Sequence, residues 1–382
     1  MDYFNLIQNY KSNTKNFYGE RYLSFSDLKK ALEALNPEFE IKIEGKSVLG
    51  NAIKSINFGR GRHNILIWSQ MHGNETTTTK SLLDTLHILS SSDYSDSKER
   101  LLDHCRLKIL PMLNPDGANA YTRANANQVD LNRDALAKTQ KETEVLFKVL
   151  DQFKPDFCFN MHGQRTIFSA GSREYPATLS FLAPSFNEKR SLSATRITAM
   201  QLIVAASERL NQFIPHQVAR YDDAFNENCF GDYLTKQGIP TVLFEAGHYQ
   251  NDYYRDKTRQ YVTISLLAML NSIISNTYPS IEYENYFHLP ENEKKYVDIV
   301  VTNIDGLKSK SLGILYKELC IKGKIVFKPI LETIKDTDQK FAHRYVDAKG
   351  KSVLINGSQK YETGIPIIDL KIDGEPITDI FI

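Results

Sequence analysis

Unbroken apolar runs alternate with amphipathic segments between residues 64 and 276. Strands that are buried on both faces lack polar alternation, whereas helices repeat apolar residues every three to four positions. Buried strands are therefore predicted at NILIWS (64–69), RLKILPML (106–113), DFCFNM (156–161) and PTVLFEAG (240–247). Helices are predicted at 26–36, 78–90, 141–153, 198–213 and 258–276. This alternation predicts an α/β fold with a mixed, mostly parallel central sheet and helices on both faces.

The pattern changes after residue 278, where an acidic, aromatic and proline-bearing stretch shows no period. Short β-like segments follow it, and turn sequences such as NIDG and KIDG separate them. We therefore predict a boundary near 285–292, with a larger α/β domain at 1–287 and a small C-terminal β-rich domain at 288–382.

Composition narrows the possible partners. The formal net charge is +1 and the basic residues are scattered, which argues against a nucleic-acid partner. The longest apolar stretch, 261–274, is too short for a membrane span and contains Asn271. The first residues show no signal-peptide pattern, and the four cysteines are far apart, which favours free thiols and a cytoplasmic location. The oligomeric state is left open.

Polar residues follow several of the predicted strands at the point where each strand ends. His72 and Glu75 follow the first strand, 114–117 follow the second, His162 ends the third and Glu245 ends the fourth. Binding sites of open α/β sheets form at the carboxyl ends of the strands. These residues are therefore predicted to form one site.

Catalytic zinc takes three protein ligands, and two histidines with one glutamate form an established set. His72 and Glu75 are close enough in sequence to reach one ion, and His162 from another strand supplies a third ligand. Glu245 then remains as a carboxylate near the metal, where a general base is expected. Taken singly, each histidine is better explained as a hydrogen-bonded structural residue. Together they predict one Zn²⁺ per chain.

The loop NPDGANAYTRANANQVDLNRDA (114–135) is rich in asparagine and contains Arg123, Asp130, Asn132 and Arg133. A solvated loop with an N-P-D-G turn explains its start but not the later VDLNRD segment.

The motifs HGNE, NPDG and RANANQVDLNRD, followed by strands that end in His and in Glu, resemble the zinc carboxypeptidase family. The resemblance covers roughly 45–275, and the compact RANAN-VDLNR loop is most similar to bacterial murein-peptide amidases and γ-glutamyl-diaminoacid peptidases. The resemblance implies that 1–287 is the zinc peptidase catalytic domain. HGNE and DLNR also occur in the aspartoacylase and succinylglutamate desuccinylase branch, so an N-acyl amino-acid deacylase is the alternative.

The resemblance implies roles for individual residues. His72, Glu75 and His162 would be the zinc ligands, and Asp130 would orient His72. Arg123 would polarise the scissile carbonyl, while Asn132 and Arg133 would hold the terminal carboxylate of the substrate. Glu245 would act as general base and then as general acid.

Side-chain specificity is predicted to come from the stretch 221–235. The resemblance also implies a tyrosine that closes over the substrate; Tyr221 and Tyr249 are the candidates, and a packed tyrosine is the alternative for each. Asp232 is placed where it could face a basic substrate side chain, although a helix-capping aspartate explains it equally well.

The sequence thus predicts a zinc metallopeptidase, a carboxypeptidase-like hydrolase that acts on a peptide or acyl-amino-acid substrate with a free carboxylate. From a different class, a catalytically silent binding module is the second alternative. The complete ligand set and Glu245 argue against it.

Overall fold

The computed structural model describes residues 1–14, 20–307, 309–336, 341–378 and 381–382. The helices are α1 (Tyr3–Gln8), α2 (Tyr10–Asn13), α3 (Phe25–Glu33), α4 (Thr76–Ser90), α5 (Ser95–His104), α6 (Pro115–Ala120), α7 (Lys141–Phe153), α8 (Ala194–Leu210), α9 (Phe230–Lys236) and α10 (Asp256–Ile274). No helix within these residues is long and apolar enough to cross a lipid bilayer.

The strands of the first part of the chain are β1 (Glu40–Lys46), β2 (Ala52–Phe58), β3 (His63–Ser69), β4 (Cys105–Leu110), β5 (Phe157–Gly163), β6 (Ser169–Ala170), β7 (Leu179–Leu182), β8 (Val218–Arg220) and β9 (Thr241–Ala246). Eight of them form one mixed sheet in the order β1-β2-β4-β3-β5-β9-β7-β8. The central strands β4, β3, β5 and β9 run parallel, so their carboxyl ends lie along one edge.

Helices cover both faces of this sheet, as predicted. Along β3, Ile65 and Ile67 belong to one hydrophobic cluster, whereas Leu66 and Trp68 belong to the other. Helices α4, α8 and α10 contribute to the first cluster, and α7 and α9 contribute to the second. The apolar runs lack polar alternation because both faces of each central strand are buried.

The remaining strands are β10 (Asn292–Glu293), β11 (Tyr296–Thr302), β12 (Lys310–Ile321), β13 (Lys324–Asp336), β14 (Phe341–Asp347), β15 (Val353–Ile355), β16 (Leu370–Ile372) and β17 (Glu375–Pro376). They include a four-stranded sheet, β13-β12-β11-β14, and a three-stranded sheet, β15-β16-β17. A separate apolar cluster, with Ile299, Leu312 and Val353 among its members, lies between these two sheets.

The C-terminal sheets are closely attached to the loops of the large sheet. Strand β10 pairs with β6, and the Nε2 of His343 lies 2.8 Å from the backbone oxygen of Thr166. The ring of His343 also lies 4.2 Å from the ring of His248, centre to centre. The division into domains 1–287 and 288–382 stays a prediction.

Candidate metal centre

His72 and Glu75 lie in the short turn between β3 and α4. The amide of Glu75 donates to the backbone oxygen of His72, which closes the turn. Gly73 between them is required by space, because a Cβ at this position would lie 1.9 Å from the backbone carbon of Gly117. Asn114 fixes the neighbouring segment: its side chain accepts from the Gly117 amide at 2.8 Å and donates to the Met71 carbonyl at 3.1 Å. The N-P-D-G sequence therefore begins helix α6.

His162, at the end of β5, completes a buried cluster of possible metal ligands. Its Nδ1 lies 3.1 Å from the Nδ1 of His72 and 3.1 Å from Glu75 Oε2. The His72 Nδ1 lies 2.8 Å from Glu75 Oε1. One ligand atom from each residue lies within 4.8 Å of the others, so the three residues can hold one metal ion. Two imidazole nitrogens and a carboxylate that face one another are a donor set suited to zinc.

Asp130 lies behind His72 on the side away from the ligand cluster. Its Oδ1 is 3.0 Å from the His72 Nε2, so the imidazole is oriented between two carboxylates. Burial alone would lower the pKa of His72, but Glu75 and Asp130 raise it to about 9. This arrangement matches the carboxylate that commonly orients a metal-bound histidine.

Glu245 lies next to His162, because the two residues are paired in the register of β9 and β5. Its Oε2 is buried and has no hydrogen-bond partner among the described residues. Burial, followed by the charge of Glu75, raises the pKa of Glu245 well above its usual value. A carboxylate without a partner beside the ligand cluster is available to interact with a bound molecule.

Arg123 connects the loop to the ligand cluster. Its Nε donates to Asp130 Oδ2 at 3.0 Å, and its Nη1 lies 3.4 Å from Glu75 Oε1. The side chain is half exposed and lines the same cavity as Glu245. The guanidinium can therefore reach a negative charge that develops close to the cluster.

Asn132 and Arg133 line the same cavity from the turn that follows Asp130. The Asn132 side chain is held by the amide of Phe230, which donates to its Oδ1 at 3.0 Å. The Arg133 Nη1 donates to the Asn132 carbonyl at 2.7 Å and to Cys229 Sγ at 3.1 Å. These contacts tie the two residues to the start of α9.

The structure separates the two tyrosine candidates. Tyr221 lines the cavity, and burial, followed by the charge of Glu245, raises its pKa to about 12. Tyr249 packs against Tyr261, with ring centres 5.9 Å apart, and is not among the cavity-lining residues that the structure describes. Its predicted role over the substrate has no supporting contact because its ring is part of the core packing.

Asp232 lines the cavity from the first turn of α9 and is buried. Burial raises its pKa to about 7. The position is compatible with the predicted contact to a basic substrate side chain.

The cavity that unites these residues has a volume of about 1060 Å³. It also includes residues that the sequence patterns did not single out: Arg21, Tyr121, Gln164, Phe168, Tyr316, Lys317 and Glu318. Arg21 and Glu318 belong to distant parts of the chain and form an ion pair, so no local motif marks them.

A sheet of this topology with two histidines and a glutamate at its carboxyl edge is typical of zinc-dependent α/β hydrolases. Residues 26–170 match the family model described as zinc carboxypeptidase, which confirms the resemblance shown by the motifs. Residues 26–170 of this chain are thus similar to the zinc carboxypeptidase family.

Two individual relatives are similar to parts of this chain. The chain is 31% identical over 140 residues to an uncharacterised protein of Zymomonas mobilis, in an alignment covering 35% of this chain and 36% of that protein. It is 30% identical over 102 residues to carboxypeptidase 2 of Trichophyton tonsurans, covering 26% of this chain and 19% of the relative. The aligned segments thus span about a third and about a fifth of these relatives.

The fold is similar to that of a metallo-carboxypeptidase from Burkholderia cenocepacia, with a TM-score of 0.53 and 18% identity. The match covers 67% of this chain and 70% of that one. This likeness confirms the carboxypeptidase-like fold.

Proposed function

We propose that this protein is a zinc metallopeptidase that hydrolyses an amide bond next to a free carboxylate. The observation that carries the proposal is the buried cluster of His72, Glu75 and His162, with Glu245 beside it in one cavity. These three ligands would hold one Zn²⁺ per chain. When bound, zinc supplies Lewis-acid activation of the scissile carbonyl and of the attacking water.

The chain's own residues supply the proton transfers. Glu245 accepts the proton of the attacking water. This role is supported by its buried Oε2, which has no hydrogen-bond partner among the described residues. The same carboxyl then donates the proton to the leaving amine, which would otherwise leave poorly. Arg123 stabilises the negative charge that develops on the carbonyl oxygen, because its guanidinium lies beside Glu75.

Substrate positioning falls to Asn132 and Arg133. The planar guanidinium of Arg133 can bind a carboxylate through two parallel hydrogen bonds. Its anchoring to the Asn132 carbonyl and to Cys229 keeps the fork in place. Tyr221 lines the same cavity and is the candidate to cover the substrate.

Asp232 is proposed to favour a basic or diamino-acid side chain in the substrate. Its carboxyl lines the cavity, and a bound cation would stabilise the ionised form that burial disfavours. The Asp232→Asn variant should lower the preference for basic over neutral substrates by about tenfold. An unchanged preference would remove Asp232 from the specificity assignment.

A cytoplasmic location is part of the proposal. All four cysteines are free thiols, and two of them, Cys105 and Cys158, are buried. Unpaired cysteines are the usual state in a reducing compartment.

The decisive experiment measures zinc content and hydrolysis in parallel. Wild type, Glu245→Gln and the control Glu208→Gln, an exposed glutamate of α8, are tested on short peptides, γ-glutamyl-diaminoacid peptides and N-acyl amino acids. Glu245→Gln should keep its zinc and lose roughly 10²- to 10⁴-fold in kcat. The control should match wild type.

The substrate class that is cleaved distinguishes the branches. Cleavage of N-acyl amino acids without cleavage of peptides would identify the deacylase alternative. Cleavage of γ-glutamyl-diaminoacid peptides would identify the murein-peptide branch. If the zinc-loaded protein cleaves none of the substrates, the hydrolase proposal is wrong and a binding module becomes the better explanation.

A further inference from the structure

The hairpin formed by β12 and β13 reaches into the cavity of the proposed active site. Its cavity-lining residues are Leu315, Tyr316, Lys317, Glu318, Phe327, Ile330 and Glu332. They line the same cavity as His72, Glu75 and His162. The C-terminal sheet thus forms part of the surface that a substrate would meet.

One anchor joins this hairpin to the helix that follows the ligand Glu75. Glu318 accepts a hydrogen bond from the Tyr121 hydroxyl and lies 3.4 Å from the Nε of Arg21. Arg21 in turn donates to the hydroxyls of Thr76 and Thr77 at 3.3 and 3.2 Å, at the start of α4. Moving the hairpin would leave a buried arginine without its carboxylate, which is strongly unfavourable.

A second anchor holds the hairpin two residues before Glu318 on β12. The Tyr253 hydroxyl donates to Asp298 Oδ1 at 3.0 Å, and the Tyr316 amide donates to Asp298 Oδ2 at 2.7 Å. The ring of Tyr253 packs against those of Tyr316 and Phe327, with centres 5.1 and 5.5 Å apart. Because two sets of contacts hold β12, we infer that the hairpin is a fixed part of the cavity rather than a mobile cover.

The hairpin and the residues proposed to hold the terminal carboxylate line the cavity from different elements of the fold. Asn132 and Arg133 are tied to Phe230 and Cys229 at the start of α9. We therefore expect a substrate with its carboxylate on Arg133 to occupy the rest of the cavity, part of which the hairpin lines.

We propose that the β12–β13 hairpin is a fixed wall on the acyl side of the substrate cavity and that it restricts the enzyme to short peptides. The inference rests on the proposed hydrolase function and adds a substrate class to it. A cavity of about 1060 Å³ is at the upper end of ligand-sized cavities and accommodates a short peptide. Lys317 and Glu332, which are exposed and line this wall, contact the acyl part of the substrate.

The test compares kcat/KM for a blocked dipeptide, a tetrapeptide and a decapeptide that share the same C-terminal residues, with the zinc-loaded full chain. The decapeptide should be cleaved at least about tenfold less efficiently than the dipeptide, because its added residues have to pass the wall. The double variant Lys317→Ala and Glu332→Ala should raise the decapeptide-to-dipeptide ratio by about threefold or more. Both substitutions are on exposed positions, so folding should be preserved.

Lys328→Ala is the matched control. Lys328 is the cross-strand neighbour of Lys317, is also exposed, and does not line the cavity. The decapeptide-to-dipeptide ratio of kcat/KM and the rate on the dipeptide should equal those of wild type. Equal cleavage of all peptide lengths by wild type, or an unchanged ratio in the double variant, would overturn the wall but leave the hydrolase proposal in place. Failure to cleave any peptide with zinc bound would overturn both.

Discussion

Asp298, on β11, should make the folded protein less stable as the pH rises. The carboxyl group is buried in the C-terminal sheet and accepts hydrogen bonds from the Tyr253 hydroxyl and the Tyr316 amide. Burial raises its pKa from 3.8 to about 6, although these hydrogen bonds and one from the Thr166 side chain act in the opposite direction. The three hydrogen bonds therefore do not compensate for the loss of water around the ionised carboxylate.

The sign and size of the effect follow from linkage. Between the unfolded and folded pKa values, the folded protein holds a proton on Asp298 that the unfolded chain has released, so stability falls as the pH rises through this window. At about 1.36 kcal/mol per pH unit, a pKa raised from 3.8 to about 6 costs roughly 3 kcal/mol above the folded pKa. The uncharged amide that Asp298→Asn introduces would resemble the neutral acid and avoid this cost.

The assay is urea unfolding of wild type and Asp298→Asn from about pH 4 to about pH 8. The stability of the variant relative to wild type should increase by about 2.4 kcal/mol across this range, because about a fifth of the total effect is already present at pH 4. Asp305→Asn, an exposed position in the turn after the same strand, provides the control and should show no such trend. A constant difference, or one that declines with pH, would refute the reasoning, since it would mean that the ionised carboxylate is well solvated or well paired.

Three further predictions concern stability, affinity and metal binding. Asp84→Ala removes the carboxylate that accepts hydrogen bonds from the Nε and Nη2 of the buried Arg259 at 2.7 and 2.8 Å. The free energy of unfolding, measured by urea unfolding, should therefore fall by about 3–5 kcal/mol. A loss below about 1 kcal/mol would contradict this prediction. Arg133→Lys keeps the positive charge but loses the planar guanidinium that binds a carboxylate through two hydrogen bonds, so KM should rise about tenfold with a smaller change in kcat. A large fall in kcat with little change in KM would instead assign Arg133 to the chemical step. Zinc at roughly 100 times its Kd should add about 2.7 kcal/mol of stability in thermal unfolding, and Glu75→Gln should abolish most of this gain. An equal gain in the variant would exclude Glu75 as a ligand.

The central elements could be predicted because their patterns are local. Helix α7 covers 141–153 as predicted, and the four predicted central strands are present within a few residues of their predicted bounds. In contrast, the sequence patterns did not identify β1 and β12 as strands. Most of β1 is exposed, and the second half of β12 is only partly buried, so neither strand is a continuous apolar run.

The candidate site was predictable to the extent that strand ends determine it. His162 and Glu245 are paired across β5 and β9, so their convergence follows from a parallel sheet whose strands end at one edge. The choice between Tyr221 and Tyr249 could not be predicted from the sequence, because it depends on how two loops pack. The ion pair of Arg21 with Glu318 was beyond prediction for the same reason, since its partners are far apart in sequence and follow no period.

The proposed boundary at 287/288 divides the sequence by pattern, but the contacts argue for a single working unit. Strand β10, from the C-terminal side, pairs with β6 of the N-terminal part, and Asn292 donates to the cavity-lining Gln164 at 2.6 Å. Glu318 balances Arg21 next to the helix that follows the ligand Glu75. Because a buried charge left without its partner destabilises its surroundings, the C-terminal sheet supports the geometry of the metal centre as well as lining the cavity. A change in the hydrophobic pattern shows where the chain changes its local structure. The extent of a functional unit is set instead by the buried contacts that cross such a boundary.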